Sequence, residues 1–297
     1  MQEVWFFLQL IVQGLATGSV YGLVALGFVL IYKASSVINF AQGELLMVGA
    51  YVCLALMTSF HLPFWAGILI TLAFSVVLAL SVERFILRPM IGEPTISIIM
   101  VTIGLALVLK ASVAAIWGTQ IMVFPEIFPQ TPVRIGEIVV SQVYIYTFFA
   151  SMALLFIFAL FFKYSRLGVA MRATANSNQV AQSMGISVKK IFAISWCVAA
   201  VVSAIGGILI GNINGVNITL SAVGLKVFPA VILGGLDSIP GAILGGLIIG
   251  VLENLSGGYL DHFFGGGVKE VAPFVILVII LMIKPYGLFG TEEIERV

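Results

Sequence analysis

The residues able to do chemistry in this chain are few, and they fall in three short stretches. The run Asn39-Phe40-Ala41-Gln42-Gly43-Glu44 carries two amides and a carboxylate inside an otherwise apolar region. Asp237-Ser238 sits between Gly234-Gly235 and Pro240-Gly241 in a second apolar region. Ser165–Lys190, reading SRLGVAMRATANSNQVAQSMGISVKK, carries Arg166, Arg172, Lys189 and Lys190 and no acidic residue. Ionisable groups at membrane depth usually face a cavity or a solute path, so the first two stretches suit the handling of a polar solute. The third alternates polar residues with small ones (Gly168, Ala173, Ala181, Gly185). It suits one or two short amphipathic helices joined near Asn176 to Asn178, and offers a docking surface for a soluble partner.

Each stretch also has a plainer reading. Asn39 can cap a helix, and Glu44 in a first turn complements the helix dipole. Asp237-Ser238 fits the tight turn of an ordinary helical hairpin as well as a break between half-length helices flanking a solute path. Lys110, inside an apolar run, has a stem long enough to snorkel. Glu253-Asn254 and Asn212, Asn214 and Asn217 gather near span ends, where they either cap helices or receive a polar solute. His61 and His262 are far apart and read as solvated. Enzymatic sites are not in view: there is no G-x-x-x-x-G-K-[ST], no G-x-S-x-G, no H-E-x-x-H and no Cys/His cluster for a metal.

The elements that must position these residues are membrane spans. Of 297 residues, 61% are hydrophobic and only 9% charged, against roughly 25% charged in soluble domains. The net charge of +1 gives no nucleic-acid footprint. Cys53 and Cys197 lie in apolar runs and read as small buried hydrophobes, not a disulfide framework. With about 20 apolar residues per crossing, spans are expected at Trp5–Tyr32, Ile38–Phe60, Phe64–Leu87, Thr95–Trp117, Val143–Phe162, Ile191–Asn212, Ala222–Leu236, Ile239–Leu255 and Val271–Lys284. Met1–Tyr32 has Glu3 and no basic n-region, and is expected to be a retained first span. Gly118–Ser141, with Pro125, Glu126, Pro129, Pro132, Arg134 and Glu137, reads as an outer loop with a short strand or hairpin at Thr131–Val140. Placing the basic stretch in the cytoplasm also puts Lys33, Arg84, Arg88 and Lys284 inside, and gives nine crossings with the N-terminus outside and the C-terminus inside. Rows of glycine at Gly14, Gly18 and Gly22, at Gly207 and Gly211, at Gly241 and Gly245, and at Gly246 and Gly250 allow close helix approach, within the chain or between subunits.

Five segments together resemble one family: NFAQGE at Asn39–Glu44, ER…RP at Glu83–Pro89, TIG at Thr102–Gly104, GVAMRATANSNQVAQSMGI at Gly168–Ile186 and FPAVILGGLDSIPGAILGG at Phe228–Gly246. The chain is identified by them as similar to the permease of branched-chain (leucine, isoleucine, valine) amino acid ABC importers. Gln42 departs from the His found there in many members. The resemblance implies an all-α, polytopic helical bundle of about 8–10 transmembrane helices, similar to the permeases of type II ABC importers, forming one domain over residues 1–297. It implies a multi-pass protein of the bacterial inner membrane, not itself an enzyme and needing no cofactor, since ATP-Mg would be held by two cytoplasmic ATPase subunits. A second, homologous permease would complete the pathway and a periplasmic solute-binding protein would deliver the solute. By the same resemblance the element at 165–190 is the coupling element, with Arg166, Gly168, Arg172, Asn176, Asn178, Ala181 and Gly185 toward the ATPase. Asn39, Gln42, Glu44, Thr102, Asp237 and Ser238 are the pathway candidates. Urea, short amides and aromatic or other carboxylic acids are alternative solutes within the family. An ion-coupled secondary transporter is an alternative outside it, though clear internal repeats and midplane charges were not found.

Overall fold

The computed structural model describes residues 2–35, 37–90, 92–125, 131–135, 138–284 and 287–290. The expected positions at Glu126, Pro129 and Glu137, and most of the tail after Lys284, lie outside them. Among the described residues nine apolar helices form the bundle: α1 (Gln2–Ser35), α2 (Gln42–Thr58), α3 (Phe64–Val82), α4 (Thr95–Trp117), α5 (Gln142–Tyr164), α8 (Val188–Asn214), α9 (Ala222–Gly234), α10 (Ile239–Phe264) and α11 (Val268–Ile283). Two short helices, α6 (Arg166–Asn176) and α7 (Asn178–Ser183), interrupt the series. A hairpin of β1 (Pro132–Ile135) and β2 (Ile138–Ser141), with Val133 opposite Val140, forms where a strand or hairpin was expected. Six helices (α1, α3, α4, α5, α8 and α10) are long and apolar enough to cross a membrane, and the chain is an all-α polytopic membrane protein.

Burial sorts the helices into layers. α1 is the axis and α8 is mostly enclosed, whereas α3, α4 and α5 turn most of their surface outward. Outward residues such as Leu69, Phe85, Leu107 and Phe149 are large and apolar, as a lipid-facing surface requires. The glycine rows resolve into internal packing. A Cβ at Gly18 would stand 2.7 Å from the Gly246 carbonyl oxygen, and one at Gly250 would stand 2.3 Å from the Gly18 Cα. α1 and α10 therefore touch backbone to backbone, running antiparallel, with Gly14 against Val251 and Gly22 against Ile243. In lipid, where apolar contact alone gives no preference for a partner helix, this approach gives dispersion contacts and specificity.

The charged ends also sort themselves. Lys33 lies within electrostatic range of Asp237 and Arg172. A cavity joins the end of α1 to Leu87, Glu93, Gln182 and Lys189. The C-terminal end of α1, the end of α3, the start of α4, the α6–α7 pair and the α9–α10 turn thus share one basic end of the bundle. At the opposite end Phe6 packs on Tyr259, and Met122 pairs with Val216.

The main departure from a row of plain crossings is at α2 and α9. Gln42 reaches Gly27, short of the end of α1, and lies beside Ala199 and Ser203 of α8. At 1.5 Å per residue, Ser203 is about 22 Å from one end of α8 and about 16 Å from the other. Residues 37–41 therefore fold back from the basic end, and α2 begins at mid-depth. α9 begins there too: a Cβ at Gly43 would lie 2.1 Å from the Ser221 carbonyl oxygen, and one at Gly224 would lie 2.5 Å from the Gly43 Cα. The deep break of the second half is at residues 215–221. Of the two readings open for Asp237-Ser238, a hairpin turn or a break between half-helices, the structure has the turn: it joins α9 to α10, with Gly235 at φ +99° and Ser238 Oγ accepting from Gly241 N at 3.1 Å.

The α1–α10 contact yields a direct test. Gly18→Leu should lower the thermal midpoint of the purified protein, at a cost of about 1–3 kcal/mol for overpacking. Gly104→Ala, where nothing stands within 4 Å, should leave it unchanged or slightly raised.

Candidate functional site

Three polar places remain once the packing is accounted for. The first is the mid-depth junction of α2. Asn39 Nδ2 donates to Gln42 Oε1 at 3.0 Å, and Gln42 Nε2 donates to Ser203 Oγ at 2.6 Å and to the Ala199 carbonyl at 3.4 Å. Asn39 Oδ1 accepts from Ala41 N at 3.0 Å, closing a local turn before the helix. Thr102 Oγ1 accepts from Phe40 N at 3.4 Å and donates to the Ile99 carbonyl at 2.8 Å. Asn39, Gln42 and Thr102 are thus brought together, all buried, and most of their polar capacity is spent on holding residues 37–41. Glu44 follows in the first turn, half-buried, interacting with Ser221 at the entrance to α9 and within electrostatic range of Lys110. Lys110, whose plainer reading was snorkelling, is thereby given a carboxylate neighbour. Asn39 and Thr102 also border a cavity of about 280 Å³ at the basic end, walled by Ile31, Leu87 and Phe192 and touching Gln182 and Lys189.

The second place is the α6–α7 pair. Ser165 and Ser177 start the two helices as N-caps, each accepting from a backbone N–H three residues on. Arg166, Asn176 and Gly185 are exposed, and Gly185 has φ +81° with open space around it. Gly168 and Ala181 are buried inside this chain, so their part is packing: a Cβ at Gly168 would meet the backbone of Phe162. Arg172 is half-buried and caps the end of α5, donating to the carbonyl of Phe162 and, at 3.3 Å, to that of Lys163. Asn178 opens α7, and its side chain lies outside the described residues. Around the exposed polar residues stand four large apolar ones that are themselves exposed: Leu167, Val169, Val180 and Met184, the last 77% exposed.

The third place was only half seen in the sequence. Lys226 of α9, in a run too apolar to suggest a site, reaches Glu253 Oε1 at 3.1 Å and Glu270 Oε2 at 2.7 Å. Glu253 is 1% exposed, the Lys226 side chain 12% and that of Glu270 65%. Asn254 Oδ1 faces Lys269 Nζ at 3.5 Å. Beside them is a cavity of about 400 Å³ whose wall includes Asn214, Asn217, Thr219, Lys226 and Glu270. The lysine inside a short Pro-containing helix was the available signal; its two partners, on other helices, carry none in their spacing. Among the described residues no group of His, Cys, Asp and Glu is placed to hold a metal ion.

A helical membrane bundle with two helices beginning at mid-depth and a cavity at its basic end has the features of a transport permease. The chain belongs to the family described as branched-chain amino acid transport system / permease component, whose model matches residues 10–283. It is 33% identical to the high-affinity branched-chain amino acid transport system permease protein LivH of Salmonella typhimurium, over 100% of this chain and 99% of that one. It is 34% identical to BraD, the high-affinity branched-chain amino acid permease protein of Pseudomonas aeruginosa, over 100% of both. Among solved structures, PsaBC from Streptococcus pneumoniae in complex with Fab shares the fold, with a TM-score of 0.53 at 15% identity, covering 92% of this chain and 91% of that one.

The α2 junction predicts its own energetics. Gln42→Leu leaves the Asn39 amide and the Ser203 hydroxyl without their present partner, at roughly 1–3 kcal/mol for each buried group left unpaired. Its thermal midpoint should fall well below that of Ser203→Ala, which leaves Gln42 Nε2 the Ala199 carbonyl.

Proposed function

We propose that this chain is the membrane permease of an ATP-driven importer of branched-chain amino acids. It receives solute from a periplasmic binding protein and pairs with a second, homologous permease. ATP-Mg is bound and hydrolysed on two separate cytoplasmic ATPase subunits; this chain needs no cofactor and makes no bonds. Full-length likeness to LivH and BraD supports the solute class. The observation that carries the mechanism is the α6–α7 pair, which presents Leu167, Val169, Val180 and Met184 among basic residues at the end of the bundle. Apolar residues exposed there, outside the lipid-facing belt, suit a protein partner, and excess Lys and Arg put that end in the cytoplasm. The N-terminus is then outside and the last helix ends inside, in a plasma membrane.

Movement of the coupling element has a short route to the solute path. The cavity that touches Gln182 and Lys189 is bordered on its other side by Asn39 and Thr102, which hold the segment leading into α2. Closure of the ATPases therefore acts through α6–α7 on residues 37–41, and through them on the mid-depth junction with Glu44. Asp237 and Ser238, at the basic end, serve as the inner rim of the path and set the α9–α10 turn. Arg166, Asn176 and Gly185 belong to the ATPase contact, with Gly168, Ala181 and Arg172 shaping it and Asn178 at the hinge between the two helices.

Two measurements test this. Purified with its ATPases and delivery protein in proteoliposomes, the complex should take up labelled leucine, isoleucine or valine on ATP addition; uptake of urea or benzoate instead would overturn the solute assignment. Val180→Asp with Met184→Glu should abolish ATPase co-purification while the thermal midpoint stays near wild type, because both side chains are exposed. In the same vesicles Glu44→Gln should lower uptake by about tenfold or more, and unchanged uptake would remove Glu44 from the path.

A further inference from the structure

The Lys226 cluster ties α9 to α10 through Glu253, yet it holds one carboxylate more than that tie uses, and its composition points to a ligand. A lysine inside a bundle this apolar is costly unless paired, and ionisable groups at such depth mark solute paths. Here one lysine faces two carboxylates, Glu253 and Glu270, so the immediate group carries one negative charge in excess. Lys269, the nearby cation, is turned to Asn254 Oδ1 instead. The two carboxylates differ in kind. Glu253 is buried and holds Lys226 in place; the Tyr21 ring stands near it, yet Glu253 Oε2 accepts no hydrogen bond of normal geometry. Glu270 is mostly exposed and lies, like Lys226, in the wall of the cavity. Opposite it are the amides of Asn214 and Asn217, Thr219 and the first residues of α9. The turn at Ile218–Ser221 runs into α9 with its own N–H groups bonded, Thr219 N to Asn217 Oδ1 and Ala222 N to the Thr219 carbonyl, so what this end offers a carboxylate is the positive end of the helix dipole. Pro229 and Pro273 carry no N–H, which frees backbone acceptors at Leu225 and Lys269, each next in sequence to a member of the cluster.

We infer that this cavity is a recognition point for the two charges of a free α-amino acid. The ammonium is taken by Glu270, and the carboxylate by Lys226 at the positive end of the α9 dipole. The inference rests on the amino-acid reading of the preceding subsection. The exposed Lys226–Glu270 pair opens and each partner closes on one end of the zwitterion, so one ion pair is replaced by two. Glu253 holds Lys226 oriented throughout. Because an existing pair is given up, net binding is weak, as a path that must release its solute requires. A solute lacking the ammonium leaves the excess negative charge unmatched and meets repulsion from Glu270. The cavity thereby discriminates against simple carboxylic acids and uncharged amides.

Saturation-transfer NMR on the full transporter complex in nanodiscs, without the delivery protein, reads such weak binding directly. Leucine should give a signal, 3-methylbutylamine a smaller one, and 4-methylpentanoate one roughly tenfold weaker than leucine, a difference of about 1.4 kcal/mol. Glu270→Gln, at an exposed position, should bring leucine down to the level of 4-methylpentanoate. Lys226→Met combined with Glu253→Gln, which removes the buried pair without stranding a charge, should equalise leucine and 3-methylbutylamine. Equal signals from leucine and 4-methylpentanoate in the wild type, or a leucine signal untouched by Glu270→Gln, overturns the inference; if ATP-driven leucine uptake persists in that case, the import reading stands alone. Glu270-dependent binding of 3-methylbutylamine in a complex that imports no branched-chain amino acid would instead sustain the ammonium site and overturn the import reading.

Discussion

A helix that begins half-way across a membrane presents its first N–H groups to a medium that cannot solvate them, and the structure is arranged around meeting that demand twice. Irregular backbone at such depth survives only when protein or a lined cavity surrounds it. At α2 the demand is met by side chains: the turn closed by Asn39, the Asn39–Gln42–Ser203 chain of hydrogen bonds, and Thr102 taking the Phe40 N–H. Before α9 it is met by Asn217, whose Oδ1 accepts from Thr219 N at 2.8 Å and whose carbonyl accepts from Leu220 N at 3.1 Å, while Gly43 packs directly on the backbone there. The two starts abut, so neither helix can be placed without the other. Glycine at 43 and 224 is required there for room, since any side chain at either position would occupy the other's backbone.

That junction needs a rigid frame, and the frame is α1 with α10 and α8. Backbone contact along Gly14, Gly18 and Gly22 fixes α10 to α1, while Gly207 presses on the Leu46 carbonyl and Gly49 on Ala204. Two kinds of interaction thus divide the work. Glycine contacts, indifferent to charge, set where the long helices stand; hydrogen bonds and ion pairs, costly to leave open in hydrocarbon, set where the short ones start. The bidentate pair of Arg88 with buried Glu83, at 3.0 and 2.8 Å, is the same device at the end of α3, beside the cavity of the basic end.

Much of this was legible in the sequence, and the misses have a common cause. Hydropathy located the nine apolar helices of the described residues, but took all nine for crossings where six are long and apolar enough to cross. It could not give depth: nothing in Asn39–Glu44 or in residues 215–221 says how far the chain folds back before the helix begins. The crowding of Gly and Pro around Asp237-Ser238 suited a turn as well as a break between half-helices, and only the depth of those residues, at the rim, decides for the turn. The basic character of residues 165–190 was plain, whereas the exposure of Val180 and Met184 depends on which face α5 and α8 cover. The basic residue Arg172 was plain too, but not its hold on the carbonyls at the end of α5. Lys226 was hidden for the same reason as the depth of α2: its meaning lies in partners on α10 and α11 that sequence spacing does not reveal.

The placement of charge follows from the architecture. A fully buried ion pair gains little over an apolar core, since desolvation offsets the attraction, so three charged residues on three helices call for a use beyond stability. The geometry supplies one. Lys226 is on the short helix α9, Glu253 on α10 of the frame, and Glu270 on α11 at the cavity wall. Any shift of α9 relative to the frame must therefore either carry Lys226 away from one carboxylate or find it a substitute, and a solute bearing both charges is such a substitute. The pair that anchors the short helix to the frame and the pair open to the cavity share the same ammonium, which makes the position of α9 sensitive to what occupies the cavity.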